Sequence, residues 1–289
     1  MSIRKIVFAM SFIVLIFSFT AHASSPVWKV SKGNNHLYLG GTIHLLGKAD
    51  YPLPSAFDKA YENSSRLVFE TDIQKFNTPE YQKIFMGKLT YSGQRTIKDV
   101  VNTKTINALE KYLASRGIPL TQIIKFKPGM LVMMLTVIEL QRLNIAGMGV
   151  DEFYINKGLK DDKKFSYLEE VEEQLSFLVD MGKDNPDELI VYTLRDMEKL
   201  PEQMALMKNA WRKGDNFALK EVALTPWEKD FSELYNTLLV QRNNKWIPKI
   251  ERMLITKEVE FVLFGALHMV GDDGVLAQLK ARGYTIQRQ

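Results

Sequence analysis

The chain has 289 residues, no cysteine, four histidines and a formal charge of +4. The lack of cysteine excludes disulfides, thiol nucleophiles, Cys-ligated metals and a lipid-modified cysteine anchor. The near balance of charge argues against nucleic acid, which favours a basic stripe, and the length is ample for a core without covalent staples.

Arg4 and Lys5, the apolar run 6–20 and the small-x-small sequence Ala21-His22-Ala23 read as a secretory signal peptide cut after Ala23. The run is shorter than the ~20 residues that a bilayer span requires, and no later stretch is long and apolar enough. The expectation is therefore a signal peptide over 1–23, a single domain over 24–289 and no stable membrane span after cleavage. A bacterial periplasm fits the short leader and the absent cysteines, with secretion beyond the cell as the alternative.

Residues 27–30 and 36–43 predict two strands, and Lys32-Gly33-Asn34-Asn35 between them predicts a hairpin turn. Residues 52–63 predict a loop and a short helix. Residues 66–70 then read as a buried strand with Glu70 and Asp72 at its carboxyl end. Strand, helix, strand is the grammar of an α/β unit. The middle reads as mostly helical, over 105–116 with Gly117 as a stop, and over 128–144. Gly147 and Gly149 break the chain before Asp151. A short strand over 164–168 ends at Glu169, and 172–181 is a helix. Asn185-Pro186-Asp187-Glu188 starts a helical stretch that reaches about Lys213, with a break at Pro201. Residues 231–255 are helical with an interruption near Pro248. A strand over 260–264, a helix over 274–282 and a strand over 284–287 close the chain. The predicted class is α/β: a central mixed sheet from the N- and C-terminal strands, surrounded by helices, with a helical middle or cap.

One local frame occurs twice, as Gly41-Thr42-Ile43-His44-Leu45-Leu46-Gly47 and Gly265-Ala266-Leu267-His268-Met269-Val270-Gly271. Each copy follows an apolar run. Glycine lets the backbone turn, and the pattern then sets an imidazole at a strand's carboxyl end, where α/β folds place their sites. Imidazole there binds metal or transfers protons near neutral pH; the bland alternative is a histidine that only ties down a strand end. Two histidines do not complete a metal site, which takes three protein ligands with one position open, so carboxylates must join them. Glu70 is the best candidate, because a carboxylate ending an apolar strand needs a partner. Arg242 and Asn243, adjacent on a helix, suit a substrate carboxylate, a carbonyl or an oxyanion. Asp151 and Glu169 are candidate supporting carboxylates. No Gly-x-Ser-x-Gly, Gly-x-Gly-x-x-Gly or Walker pattern occurs, so no nucleotide cofactor is expected.

Gly40-Gly41-Thr42-Ile43-His44 with Tyr51-Pro52-Leu53-Pro54, the acidic strand Leu67-Val68-Phe69-Glu70-Thr71-Asp72, Gly149-Val150-Asp151, Tyr167-Leu168-Glu169, Glu173-Gln174-Leu175, Arg242-Asn243 with Trp246, and Phe264-Gly265-Ala266-Leu267-His268 occur in the order of the TraB/GumN family, which this chain resembles over nearly its whole mature length. That family is similar to the Tiki proteases, metal-dependent enzymes with paired Gly-x-x-His motifs, and includes a plasmid protein that shuts down a peptide pheromone. The resemblance implies a metal-dependent hydrolase, most plausibly a peptidase. His44, Glu70 and His268 would hold one divalent ion (manganese, cobalt or zinc), with Arg242 and Asn243 as further catalytic residues. Gly41, Asp151, Glu169 and Gly265 would be binding positions, and a peptide or other small polymer the substrate. Leu267 and Met269 depart from the expected motif in packing residues only. A non-enzymatic binder of a peptide or polysaccharide is the competing reading, and a scaffold joined by its motif histidines is a third.

Overall fold

The computed structural model describes residues 25–289, so the signal-peptide expectation falls outside the described residues. Among the described residues there are eight strands: β1 (Val27–Lys32), β2 (Asn35–Thr42), β3 (Leu45–Leu46), β4 (Arg66–Phe69), β5 (Gly147–Met148), β6 (Lys164–Tyr167), β7 (Glu260–Gly265) and β8 (Thr285–Arg288). β1 and β2 form the expected antiparallel hairpin. Its turn contains Gly33 at φ 62°, a left-handed conformation that glycine adopts without steric cost.

Six strands form one mixed sheet in the order β6-β4-β7-β2-β1-β8. The four strands β6, β4, β7 and β2 run parallel, while β1 and β8 add an antiparallel edge. The sheet is thus mixed and joins both chain ends, as expected. It also recruits β6 from the middle of the chain, which residue patterning alone did not assign to it. Parallel pairing aligns the carboxyl ends of four strands on one rim. Thr42 lies opposite Gly265, and Phe69 lies opposite both Leu263 and Tyr167. The ladder continues one step past the strands, because Leu168 N–H donates to Phe69 O and Glu169 N–H to Glu70 O.

Central strands buried on both faces require continuous apolar runs. Leu67-Val68-Phe69 and Phe261-Val262-Leu263-Phe264 supply them and are fully buried. Helices Ser55–Glu62 and Gln241–Met253 pack into the same core through Phe57, Tyr61, Trp246 and Ile250. The helical middle has a core of its own around Leu109, Leu113, Leu131, Leu135 and Ile190. Helices Pro79–Leu89 and Thr225–Asp230 were not foreseen. None of the described helices is long and apolar enough to cross a membrane.

Pro248 does not interrupt its helix, which runs unbroken over Gln241–Met253. Proline costs a helix one backbone hydrogen bond, about 3 kcal/mol or more. Burial of Trp246, Ile247 and Ile250 on the sheet side holds the segment helical despite that cost. The irregularity lies earlier, in a wide π-helical turn over Asn236–Val240.

Glu260 begins β7 buried, with Oε2 lacking any hydrogen-bond partner. Arg66 stands opposite it in the sheet, but that guanidinium is committed to Glu258 and Ser166. Burial raises the Glu260 carboxyl to about 7, and the Glu258 charge adds to that against Arg66. Its contribution to stability is complete below its ordinary value of 4.5 and is lost as pH rises through about 7. Glu260→Gln is therefore expected to flatten this part of the pH–stability curve. At pH 8 it should gain about 1–3 kcal/mol, the cost of a buried group left unsatisfied. Denaturant titrations at pH 5 and pH 8 measure both effects, and an unchanged pH slope would refute this account.

Candidate functional site

Four parallel strands deliver their next residues to one rim. β2 leads to His44, β4 to Glu70, β6 to Glu169, and β7 to Gly265 and then His268. Helix Val150–Lys160 brings Asp151, and helix Gln241–Met253 brings Arg242 and Asn243. Eight of the nine residues singled out in the sequence meet here.

His44 Nδ1 is 2.8 Å from Asp151 Oδ2. Asp151 is buried, whereas the His44 side chain is 62 % exposed, so the ring stands at the mouth with a carboxylate behind it. The Asp151 charge raises the imidazole to about 9, against partial desolvation by the surrounding cleft and with further help from Glu70. In the neutral ring the pairing keeps the proton on Nδ1 and leaves Nε2 free toward the cleft.

His268 has the opposite character. It is buried against the Trp246 ring, with centroids 4.4 Å apart. Asn243 Nδ2 donates to the carbonyls of His268 and Asp273, at 3.3 Å and 2.9 Å. That orients Asn243 Oδ1 as acceptor for His268 Nδ1–H at 2.7 Å. His268 Nε2 is then the acceptor for Arg242 Nη1, at 3.1 Å. Burial lowers the imidazole to about 3, and the positive charges of Arg242 and His44 add to this, so the ring is neutral.

Arg242 is the hub. Its Nε and Nη2 form a fork on Glu169, at 3.1 Å and 2.6 Å, and Nη2 also reaches Glu70 Oε2 at 2.6 Å. Nη1 serves His268 and the Leu238 carbonyl, which the π-helical turn presents at 3.3 Å. All five N–H donors are thereby used within the protein, so none is left for an oxyanion in this arrangement. Asn243 is likewise spent on holding His268. Trp246 Nε1 completes Glu169 at 3.2 Å. Neither Asp151 nor Glu169 is a free carboxylate, since one is tied to His44 and the other to Arg242.

Glu70 accepts from Arg242 and, at 3.2 Å, from Gln174 through Oε2, and from the Gly265 N–H at 2.7 Å through Oε1. Burial would raise its carboxyl, but Arg242, the charged His44 and the Gly265 N–H together hold it well below the usual range. It is a permanent anion. A carbon added to Gly265 would stand 3.3 Å from Glu70 Oε1 and 3.6 Å from both His44 Nε2 and His268 Cδ2. One small space beside Gly265 thus faces three of the predicted residues. Gly41 lies apart from it: a carbon there would meet Met269 Sδ at 3.1 Å and Ala266 at 3.2 Å, so Gly41 lets one motif copy pack on the other.

The expected metal ligands do not form a ligand set as arranged. Only His44 Nε2 and Glu70 Oε1 face the common space, since His268 turns a carbon toward it and both of its nitrogens are bonded. Among the described residues no group of three or more His, Asp or Glu is placed to hold a metal ion. The guanidinium of Arg242 already supplies the positive charge that two carboxylates need.

Two hollows flank the site and share His44 and Glu70. One, of about 270 Å³, is walled by Met207, Leu219, Trp227, Leu238 and Leu267 and floored by Arg242 and His268. The other, of about 580 Å³, is mixed: Gln74, Asn77, Asp151, Glu152, Asn156 and Gln174 line it together with Phe69, Ile73, Phe76 and Ile155. Of these residues, sequence reasoning missed the roles of Gln74, Asn77, Glu152, Asn156, Gln174 and the apolar wall. Gln174 had a usable signal, because it lies three residues from Val171 on the buried face of helix Val171–Asp180. The apolar wall had none, since its members come from distant helices.

The chain is therefore a mixed-sheet α/β protein with two Gly-x-φ-His histidines at neighbouring parallel strand ends and an arginine-bridged carboxylate pair at the two strand ends beside them. Residues 26–288 match the family model of the TraB/PrgY/gumN family, and the chain belongs to that family. It is similar to the "Uncharacterized protein YbaP" of Escherichia coli (strain K12), at 24% identity over 253 residues, which covers 86% of this chain and 89% of the relative. The protein of the same description from Shigella flexneri is similar to the same extent. No solved structure matches the chain significantly.

Proposed function

We propose that the cleft is the active site of an exported hydrolase that cleaves an acyl bond in a peptide or other small polymer. The observation that carries this reading is the convergence of His44 Nε2 and Glu70 Oε1 on the space beside Gly265, with Asp151 behind His44. Glu70, held ionised, orients a water there. His44 Nε2 takes a proton from that water as it attacks the carbonyl carbon. The imidazolium, stabilised by Asp151, then gives the proton to the leaving nitrogen or oxygen as the acyl bond breaks. Arg242, Glu169, Asn243 and His268 form the charged floor that fixes Glu70.

A divalent ion (manganese, cobalt or zinc) was expected from the family resemblance. The donor set does not fit it without release of His268 Nε2 from Arg242, so no step is assigned to it. Purified protein incubated with a peptide library, with chelator or with each added metal, tests the reading. Cleavage that survives chelator and disappears in His44→Gln is the expected result. Cleavage only on metal addition would replace the proposed chemistry with that of an ion, and no cleavage under any condition would favour a binder. Export rests on the leader features of residues 1–23, and the expected product is a periplasmic chain beginning at Ser24.

A further inference from the structure

We propose that the cleft selects an extended peptide by two neighbouring side chains, an apolar one in the smaller hollow and a lysine or arginine in the larger. This rests on the hydrolase reading above and specifies its substrate. Because the two hollows share His44 and Glu70, a chain reaching both must cross the reacting groups. The halves differ in chemistry. Leu219, Trp227, Leu238 and Leu267 give the smaller one apolar walls suited to an aliphatic or aromatic side chain. The larger one is lined by three carboxylates and by no lysine or arginine.

Two of those carboxylates are already satisfied, Asp151 by His44 and Glu70 by Arg242. Glu152 is not. It is exposed at the head of its helix and has no ion pair among the described residues. The amides of Gln74, Asn77 and Asn156 surround the same space with groups that accept from an ammonium or guanidinium. A second observation points to a ligand running through both halves. Thr42 borders the smaller hollow and Thr71 the larger, and each is buried with a hydroxyl that has no partner among the described residues. Such groups flank the line along which an extended backbone presents its N–H and carbonyl groups.

The test uses His44→Gln protein, so that binding is read without turnover. Fluorescein-labelled hexapeptides carry Leu-Lys or Lys-Leu at their centre in an alanine background, with Leu-Glu and Glu-Leu as counterparts. A lysine peptide is expected to bind about five- to tenfold tighter than its glutamate counterpart, because attraction and repulsion at Glu152 act in the same sense. Adding Glu152→Lys should abolish or reverse that preference, and since Glu152 is exposed the change leaves the packing intact. Equal affinities, a glutamate preference, an unmoved preference in the double variant, or tighter binding of a neutral oligosaccharide would each overturn the inference. A lysine preference in a wild type that cleaves nothing would sink the hydrolase reading alone. Cleavage without a lysine preference would sink the specificity alone.

Discussion

In His44→Gln, turnover of the cleaved peptide is expected to fall by about 10²–10⁴-fold, the usual contribution of a positioned proton-transfer group. Stability should fall modestly at neutral pH, because the buried Asp151 loses its cationic partner, although glutamine can still donate to it and the His44 ring itself is largely outside the core. The stronger diagnostic is the pH profile. With the imidazole raised to about 9, roughly one ring in a hundred carries a free Nε2 lone pair at pH 7. The base form accumulates as pH rises, so kcat/KM should climb about tenfold per pH unit and level off above about pH 9. Asp151→Asn removes the charge that does most of the raising. Its plateau should begin lower, toward the ordinary imidazole value of 6.5, and at a lower maximum because the imidazolium formed during attack loses its counter-charge. A wild-type plateau already reached at neutral pH and dependent on added metal would instead indicate an ion-bound water, whose pKa falls to about 7.

Arg242→Met is expected to cost about 3–5 kcal/mol of stability, the typical result of removing one partner from a buried ionic cluster. The reason is what remains. Glu70 and Glu169 are both buried and both paired with the guanidinium, and without it the two carboxyl groups are left facing each other with no counter-charge. His268 Nε2 and the Leu238 carbonyl lose their donor at the same time. Arg242→Lys should fall between, since an ammonium retains the charge but cannot make the fork on Glu169 while reaching Glu70. Adding Glu70→Gln and Glu169→Gln to Arg242→Met should recover much of the loss, because the penalty comes from unpaired charge rather than lost volume. Guanidinium denaturation of the four proteins measures this. A single Arg242→Met variant within about 1 kcal/mol of wild type would mean that the cluster is not held by its charges.

The elements most legible in the sequence were those with strong local signals. The hairpin 27–42 shows in its Gly33 turn, β4 and β7 in continuous apolar runs, and the helix at Pro186 in its proline and acidic first turn. The ribbon of β3 and β5 was not legible, because each strand is two residues long and is made only by meeting the other. Pro248 misled because propensity counts the lost hydrogen bond but not the burial of Trp246 and Ile247 that outweighs it.

The site divides the same way. The repeated Gly-x-φ-His frame, the acid ending β4 and the Arg242–Asn243 pair named the participants from residue type and spacing alone. Their roles came only from the tertiary structure. Two histidines in identical local frames have opposite proton affinities, because one stands at the mouth over Asp151 and the other is buried between Trp246 and the guanidinium of Arg242. The sequence repeats a motif, but charge state is set by what packs around it. For His44 that neighbour, Asp151, lies 107 residues away along the chain.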